Sequence, residues 1–564
     1  MIIFANKLRM TIVAVLALAM CTACAGASSK PASAMRAVEK NGVLSVSGAP
    51  LGFSYSLKSG TFDISDSAGV ILIRNAHSEV TLFAGKEKKL IVFDGGKKWS
   101  AKKAKGKFGD ELKVTVESPA ADGAPALRQV FRFIKGRPAV LVQIEIANNT
   151  AAPVSIERVL PLSTGGEGGG VLLADSPDTL RVLENGHKNL IDFWVRMVKA
   201  TGGSDSNWNS ALHDVVSRRT LAGGFLSQNH ALGSIIITHD PAASAADPKS
   251  GRRPLTGYLA RSAFSPLREI APGGSLASDM FALIYDPKSP HAALEYFASL
   301  AAIENNIDAK RLKRFTYWDT WYSHYVEDID EQVILSNLDA MARELTPYGL
   351  NTFMMDAGWE MNRGDWFENR KKFPRGLKFV TDRIRAKGLL PAAWIAPFMS
   401  AADSDVVKQH PDWYIEDFDQ YGKSLMPKGV RALDISNPAA QKWLAETVRR
   451  LTHDYGFGML KVDFTYYSLT GKKYYQRGRT RVELFREAFG IIRKAAGPDV
   501  YILAVGVPVC YHAGVVDAMR TGLDNSPSWG AESGYAAQGT LPSYRSMIRR
   551  YYLNGKVWMN DPDV

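Results

Sequence analysis

The stretch GFGMLKVDFTYYS, Gly456 to Ser468, has the apolar character of a buried strand, yet it carries Lys461 and Asp463 two residues apart. Positions i and i+2 of a strand point to the same side. Leu460, Val462 and Phe464 therefore line one face, and Lys461 and Asp463 share the other. An ammonium and a carboxylate turned inward on an apolar strand are costly unless paired or used. The pair is either a structural ion pair inside the fold or part of a site.

Six further short apolar runs surround it: RFTYWDTWY (314–322), GLNTFMMDAGW (349–359), LLPAAWIAPF (389–398), VYILAVGVPV (500–509), VDAMRTGLD (516–524) and KVWMNDPDV (556–564). Between the runs lie helix-length amphipathic segments at 330–345, 377–388, 439–456 and 481–497, and Gly388 and Gly456 stand where helix C-caps belong. Strands alternating with helices make a parallel sheet, and this many units predict a (β/α)8 TIM barrel over 300–564. The printed sequence stops just after the seventh run, so the expectation is a barrel lacking its last strand and any C-terminal β domain. Residues 43–290 read differently. Runs such as ALRQVFRFI (126–134) and LGSIIITHD (232–240) alternate between Gly, Asn, Asp and Pro breaks, which predicts a large N-terminal antiparallel β-sandwich. The glycine run 165–170 has no strand-to-helix context and reads as a loop, not a phosphate cradle.

The chain's 564 residues are enough for two or three domains, and 46% hydrophobic with 22% charged residues is ordinary globular composition. The net charge of +12 (69 Lys+Arg against 57 Asp+Glu) owes much to a lysine run within 85–113, which reads as exposed strand edges and solvated loops, not a nucleic-acid surface. Residues 1–27 read as a signal or lipoprotein leader, with Lys7 and Arg9, an apolar run over 10–20, then small residues; 28–42 reads as a linker. The leader predicts export, to the periplasm or as a lipoprotein of the outer membrane or cell surface. Cys24, followed by Ala25 and Gly26, is its candidate lipid-anchor site, although Cys21 stands where a leucine is usual. Cys510 is then the lone cysteine of the mature chain, and no histidine or cysteine cluster predicts a metal or other cofactor.

In such a barrel, function gathers where strands end. Those ends carry Trp321 and Tyr322, Asp356 and Trp359, Trp394, Lys461 and Asp463, Arg520 and Asp524, and Asp561. Aromatics that stack on sugar faces, with carboxylates that accept hydroxyl hydrogen bonds, suit a carbohydrate pocket. Two of the carboxylates can act as nucleophile and general acid/base. Asp463 suits the nucleophile, because Lys461 beside it favours the ionised form. Asp524, in a Gly/Pro-bounded loop and expected to lie under Trp529, suits the acid.

FGMLKVDF, VDAMRTGLDNSPSW and VWMNDPD, with TWYSHY, MMDAGWEMNRGDW, FPRGLKFV, WIAPF, HPDWYI and ALDISNP in the same order, resemble the α-galactosidase (melibiase) family, glycoside hydrolase family 36-like and of clan D. The resemblance runs from about Phe315 to the end. It implies a retaining α-galactosidase with Asp463 as nucleophile and Asp524 as acid/base. Asp356, Trp394, Lys461 and Arg520 match sugar-binding positions, and Asp365 and Trp366 match a motif close to the pocket. One departure stands out: where the family has two consecutive carboxylates, this chain has Asp356-Ala357. Cys510, Tyr511 and His512 also depart from the usual loop and are expected to reshape the pocket wall. β-L-arabinopyranosidase, α-N-acetylgalactosaminidase and a non-catalytic carbohydrate-binding surface protein remain open. Asp434 and Asn437 read as caps of the following helix.

Overall fold

The computed structural model describes residues 34–94, 98–118, 124–186, 194–322, 328–506, 508–525, 529 and 539–563. The stretch 1–27 read as a leader, with Cys21 and Cys24, lies outside them.

Two antiparallel sheets make up the first half. One, of 11 strands, begins with Arg36–Lys40 and Val43–Ser47; the other, of 10, includes Ala126–Ile134 and Ala139–Ala147. Alternation of the kind seen in Val43–Ser47, where every second residue is buried, lets each strand turn one face inward. Leu44, Phe53, Phe62, Phe131, Phe133 and Leu283 meet in the shared core. Arg36–Lys40 falls inside the stretch read as linker; it pairs with Val43–Ser47 through a tight turn in which Asn41 and Gly42 both have positive φ. The lysine run sits on an edge: Lys98–Gly106 is the terminal strand of its sheet and mostly exposed, where positive charge discourages pairing with another chain.

Helix α1, Pro290–Glu304, capped by the Ser289 side chain, links the halves and packs on the sandwich through Leu294, Phe297 and Ala301. The second half is a seven-stranded parallel sheet in sequential order: β1 Tyr317–Asp319, β2 Thr352–Met355, β3 Leu390–Ile395, β4 Met459–Val462, β5 Tyr501–Ala504, β6 Ala518–Arg520 and β7 Met559–Asp561. Each of the seven apolar runs contributes one strand. The Tyr317 hydroxyl, on β1, donates to Asp561, on β7, at 3.2 Å, so the sheet curls round to bring its outermost strands together in a TIM-type arrangement.

The helices follow the sequence signals. α2, Glu331–Glu344, is capped by Asp330. α3, Leu377–Ala386, stops before Gly388 at φ 79°. α4, Pro438–Arg449, is capped by Asn437, whose side chain accepts the Ala439 N–H at 2.9 Å. Asp434 serves instead the turn before it, accepting the N–H of Ser436. α5, Arg481–Ala496, opens with a Thr480/Glu483 capping box.

The halves are tied by polar contacts as well as packing. Glu483 accepts from Arg268 and pairs with His230, both at 2.8 Å, and Asn209 donates to the Tyr552 hydroxyl at 2.9 Å.

Candidate active site

All four residues of β4 are buried, and the strand stops at Val462. Asp463 donates its N–H to Ile395 O at 2.8 Å, which fixes it over the end of β3, and Phe464 turns to φ 51°. A left-handed φ on a phenylalanine is costly and persists only where the surroundings enforce it. The turn swings the Phe464 ring into the cavity instead of leaving it on the face with Leu460 and Val462, where strand alternation had placed it.

That cavity, of about 270 Å³, is lined by Trp321, Asp356, Ala357, Arg363, Trp394, Lys461, Asp463, Phe464, Tyr466, Val505, Gly506, Gly522, Leu523 and Asp524. Asp463 and Asp524, 61 residues apart in the chain, thus face one space at the C-terminal ends of the strands. Gly506 permits the close approach of the β5 loop: φ is 148°, and a Cβ there would fall 1.9 Å from Thr465 Oγ1.

The charges form two clusters. In the first, Lys461 Nζ donates to Asp356 at 2.7 Å and to Asp319 at 3.0 Å, with side-chain exposures of only 5%, 4% and 0% for Lys461, Asp356 and Asp319. Burial pulls the ammonium down, but the two carboxylates more than offset it and hold Lys461 well above its ordinary value. Burial drives Asp319 up, against Lys461. Lys461 makes no ion pair with Asp463 among the described residues; the Asp463 carboxylate instead accepts Trp394 Nε1–H at 2.9 Å and Phe464 N–H at 2.5 Å. Lys461 acts on Asp463 as a nearby charge, as expected, but it does not set the net shift. Lys461 and the Trp394 hydrogen bond do favour the ionised form, but burial outweighs both and pushes Asp463 up to about 6.

In the second cluster, buried Arg520 reaches Asp524 at 2.8 Å and Asp563 at 2.7 Å. Asp563 also accepts the Asn525 N–H at 2.8 Å and the Tyr322 hydroxyl. Asp524 is 51% exposed and Trp529 77% exposed, so the indole does not cover the acid as expected.

Several expected pocket residues stand back from it. Trp359 and Trp366 are fully buried behind Trp394: the Trp366 ring lies 5.8 Å from that of Trp394, and Trp359 Nε1 donates to Trp394 O at 3.0 Å. Their hairpin, Glu360–Asn362 with Asp365–Glu368, folds back and makes them the support of the wall. Asp365 accepts the N–H groups of Asp405 and Val406, at 2.8 and 3.0 Å, and caps a short helical turn. Tyr322 and Arg520 act through Asp563 and Asp524 and do not line the cavity. Cys510, Tyr511 and His512 do not reshape the wall: they are buried, with His512 against Phe485 and Phe489 and pushed down to about 3 by burial. Asp561 lies below the mouth, pushed up to about 6 by burial against Arg520. Sequence reasoning missed Asp319, Asp563, Arg363 and Tyr466. An aspartate in the middle of an apolar run was the signal for Asp319, the same signal that Lys461 gave.

Residues 305–490 match the family described as melibiase. An A type blood α-D-galactosamine galactosaminidase of Flavonifractor plautii is 30% identical over 159 residues, 26% of this chain and 14% of that protein. An α-galactosidase of Escherichia coli is 28% identical over 109 residues, 18% and 15% of the two chains. The match thus spans about a seventh of these relatives' length. Among solved structures, the GH36 α-galactosidase AgaB of Geobacillus stearothermophilus superposes with a TM-score of 0.66 at 13% identity, covering 93% of this chain and 78% of that one. The α-galactosidase TtGalA of Thermus thermophilus, in complex with p-nitrophenyl α-D-galactopyranoside, gives 0.52 at 22% identity, covering 75% and 82%. Residues 305–490 are thus similar to the melibiase family, and the fold is that of α-galactosidases of known structure.

Proposed function

We propose that the protein is an exported retaining α-galactosidase. The observation that carries this reading is the placement of Asp463 and Asp524 on one sugar-sized cavity, with Trp394 holding the first carboxylate and Arg520 the second. Asp463 attacks the anomeric carbon to form a glycosyl-enzyme while Asp524 protonates the departing oxygen; Asp524 then takes a proton from water, which releases the sugar with retained configuration. Such a mechanism requires the carboxyl groups about 5–5.5 Å apart. Asp463 is enclosed and fixed by two donors, as a nucleophile must be, whereas Asp524 is open to solvent and can exchange its proton between the two steps. Trp321, Phe464 and Tyr466 give the cavity aromatic surface for the sugar.

The test is hydrolysis of p-nitrophenyl α-D-galactopyranoside, with product configuration followed by NMR. Asp463→Ala abolishes turnover, and azide restores part of it as the inverted glycosyl azide. Full activity in that variant overturns the assignment. Ala357 favours a second specificity, a β-L-arabinopyranoside, which has no 6-hydroxyl to satisfy; the same assay with that glycoside decides between them. Export and lipid anchoring rest on the leader, and labelled palmitate incorporated by the wild type but not by Cys24→Ala reads the anchor.

A further inference from the structure

Arg363 lines the cavity together with Asp356 and Ala357, from the turn of the hairpin that carries the tryptophan wall. It is partly buried and pairs with no carboxylate among the described residues. The acids around it have hydrogen bonds of their own, and Glu360 feels the Arg363 charge without forming an ion pair with it among the described residues. Glu360 accepts the Gly358 N–H at 2.8 Å, Asp365 caps the turn at Asp405, and Asp403 accepts from the Asn362 amide at 3.2 Å. The cavity's other cation, Lys461, is neutralised by its two aspartates.

On the same side, hydrogen-bond acceptors are scarce. Ala357 offers a methyl group, and the two Asp356 oxygens already receive the Ala357 N–H at 2.8 Å and Lys461 at 2.7 Å. A neutral hydroxyl finds there only the one lone pair left on each Asp356 oxygen. An anionic group gains a planar guanidinium with several free donors, which matches a carboxylate or sulfate in two-point geometry.

Resting on the glycosidase reading above, we propose that the sugar in the −1 position is anionic, an α-linked hexuronide or sulfated hexose whose acidic group is held by Arg363. The hydrolysis is otherwise unchanged: the glycosidic bond breaks, water supplies the new hydroxyl, and the acidic group takes no part. An anion entering beside Asp356, Asp463 and Asp524 would be repelled without a balancing charge. The guanidinium is what makes the cavity habitable for it.

The experiment compares kcat/KM for p-nitrophenyl α-D-galactopyranoside, the corresponding galacturonide and the 6-sulfated galactoside. It uses the wild type, Arg363→Ala and Arg363→Lys. One of the anionic substrates should exceed the neutral one by about tenfold or more, and Arg363→Ala should lower the anionic-to-neutral ratio by about 30-fold, the usual cost of truncating one partner of an enclosed charge pair. Arg363→Lys should restore part of that ratio. The two anionic arms separate uronide from sulfate. Preference for the neutral galactoside, or a ratio that Arg363→Ala leaves within threefold, overturns the proposal. If the wild type hydrolyses none of the three, the glycosidase reading itself fails, and titration calorimetry then decides on the cavity. Galacturonic acid binding more tightly than galactose, with the difference lost in Arg363→Ala, upholds an anionic site; equal binding rejects it.

Discussion

The two charge clusters of the site use the same ingredients, a cation between two aspartates, to opposite ends. Around Lys461 everything is sealed: the ammonium and both carboxylates have 5% side-chain exposure or less. Around Arg520 one carboxylate is equally sealed, Asp563 at 0%, but the other, Asp524, is 51% exposed. A sealed triad holds fixed charges, because water neither screens them nor exchanges their protons easily. A half-open pair tethers its exposed member while leaving it free to trade protons. The first arrangement suits the floor under a nucleophile, the second an acid/base.

That contrast breaks most visibly if Lys461 is removed. Lys461→Met leaves Asp319 and Asp356 buried without a counter-charge, and chemical denaturation should show a loss of about 3–5 kcal/mol. Asp319→Asn keeps the shape and leaves the ammonium one carboxylate partner; the expected loss is about 1–3 kcal/mol, read in the same melts. Third comes pH. Asp463 binds its proton more tightly folded, near 6, than unfolded, near 3.8, so its ionisation weakens the fold progressively from about pH 4 to above pH 6. Asp463→Asn should therefore melt a few degrees higher than the wild type at about pH 8, with the gap closing towards pH 4. On the mechanism proposed above, in which the ionised Asp463 attacks, the acid limb of wild-type kcat/KM should have an apparent pKa near 6. Asp524→Asn sharpens the contrast from the other side. It should change stability by less than about 1 kcal/mol, since the group is half exposed, while hydrolysis of glycosides with poor leaving groups collapses.

The strand order of the parallel half was legible because its signals are local. Each run is short, apolar and flanked by helix punctuation such as Gly388 or Asn437, and all seven formed strands. Pro290–Glu304 escaped notice: its faces meet the sandwich and neighbouring segments of the parallel half, and small apolar residues nearly all round blur the polar side that betrays a surface helix. Asp356, Asp463 and Asp524, read at strand ends, do line the cavity, whereas Asp561 does not. The tryptophans fared worse, because an indole suits a sugar-binding wall and the packing behind that wall alike. Trp394 forms the wall; Trp359 and Trp366 back it.

The sequence alone determined which residue types stand at the ends of the parallel strands, since strand alternation and helix caps depend on neighbours a few positions away. Only the tertiary structure decided the pairings: among the described residues Lys461 pairs with Asp319 and Asp356 and not with Asp463, Arg363 meets no carboxylate, and Trp529 leaves Asp524 open. A charge's partner and its exposure depend on groups brought together from distant parts of the chain, and burial, which outweighed the nearby ammonium at Asp463, belongs to the assembled fold.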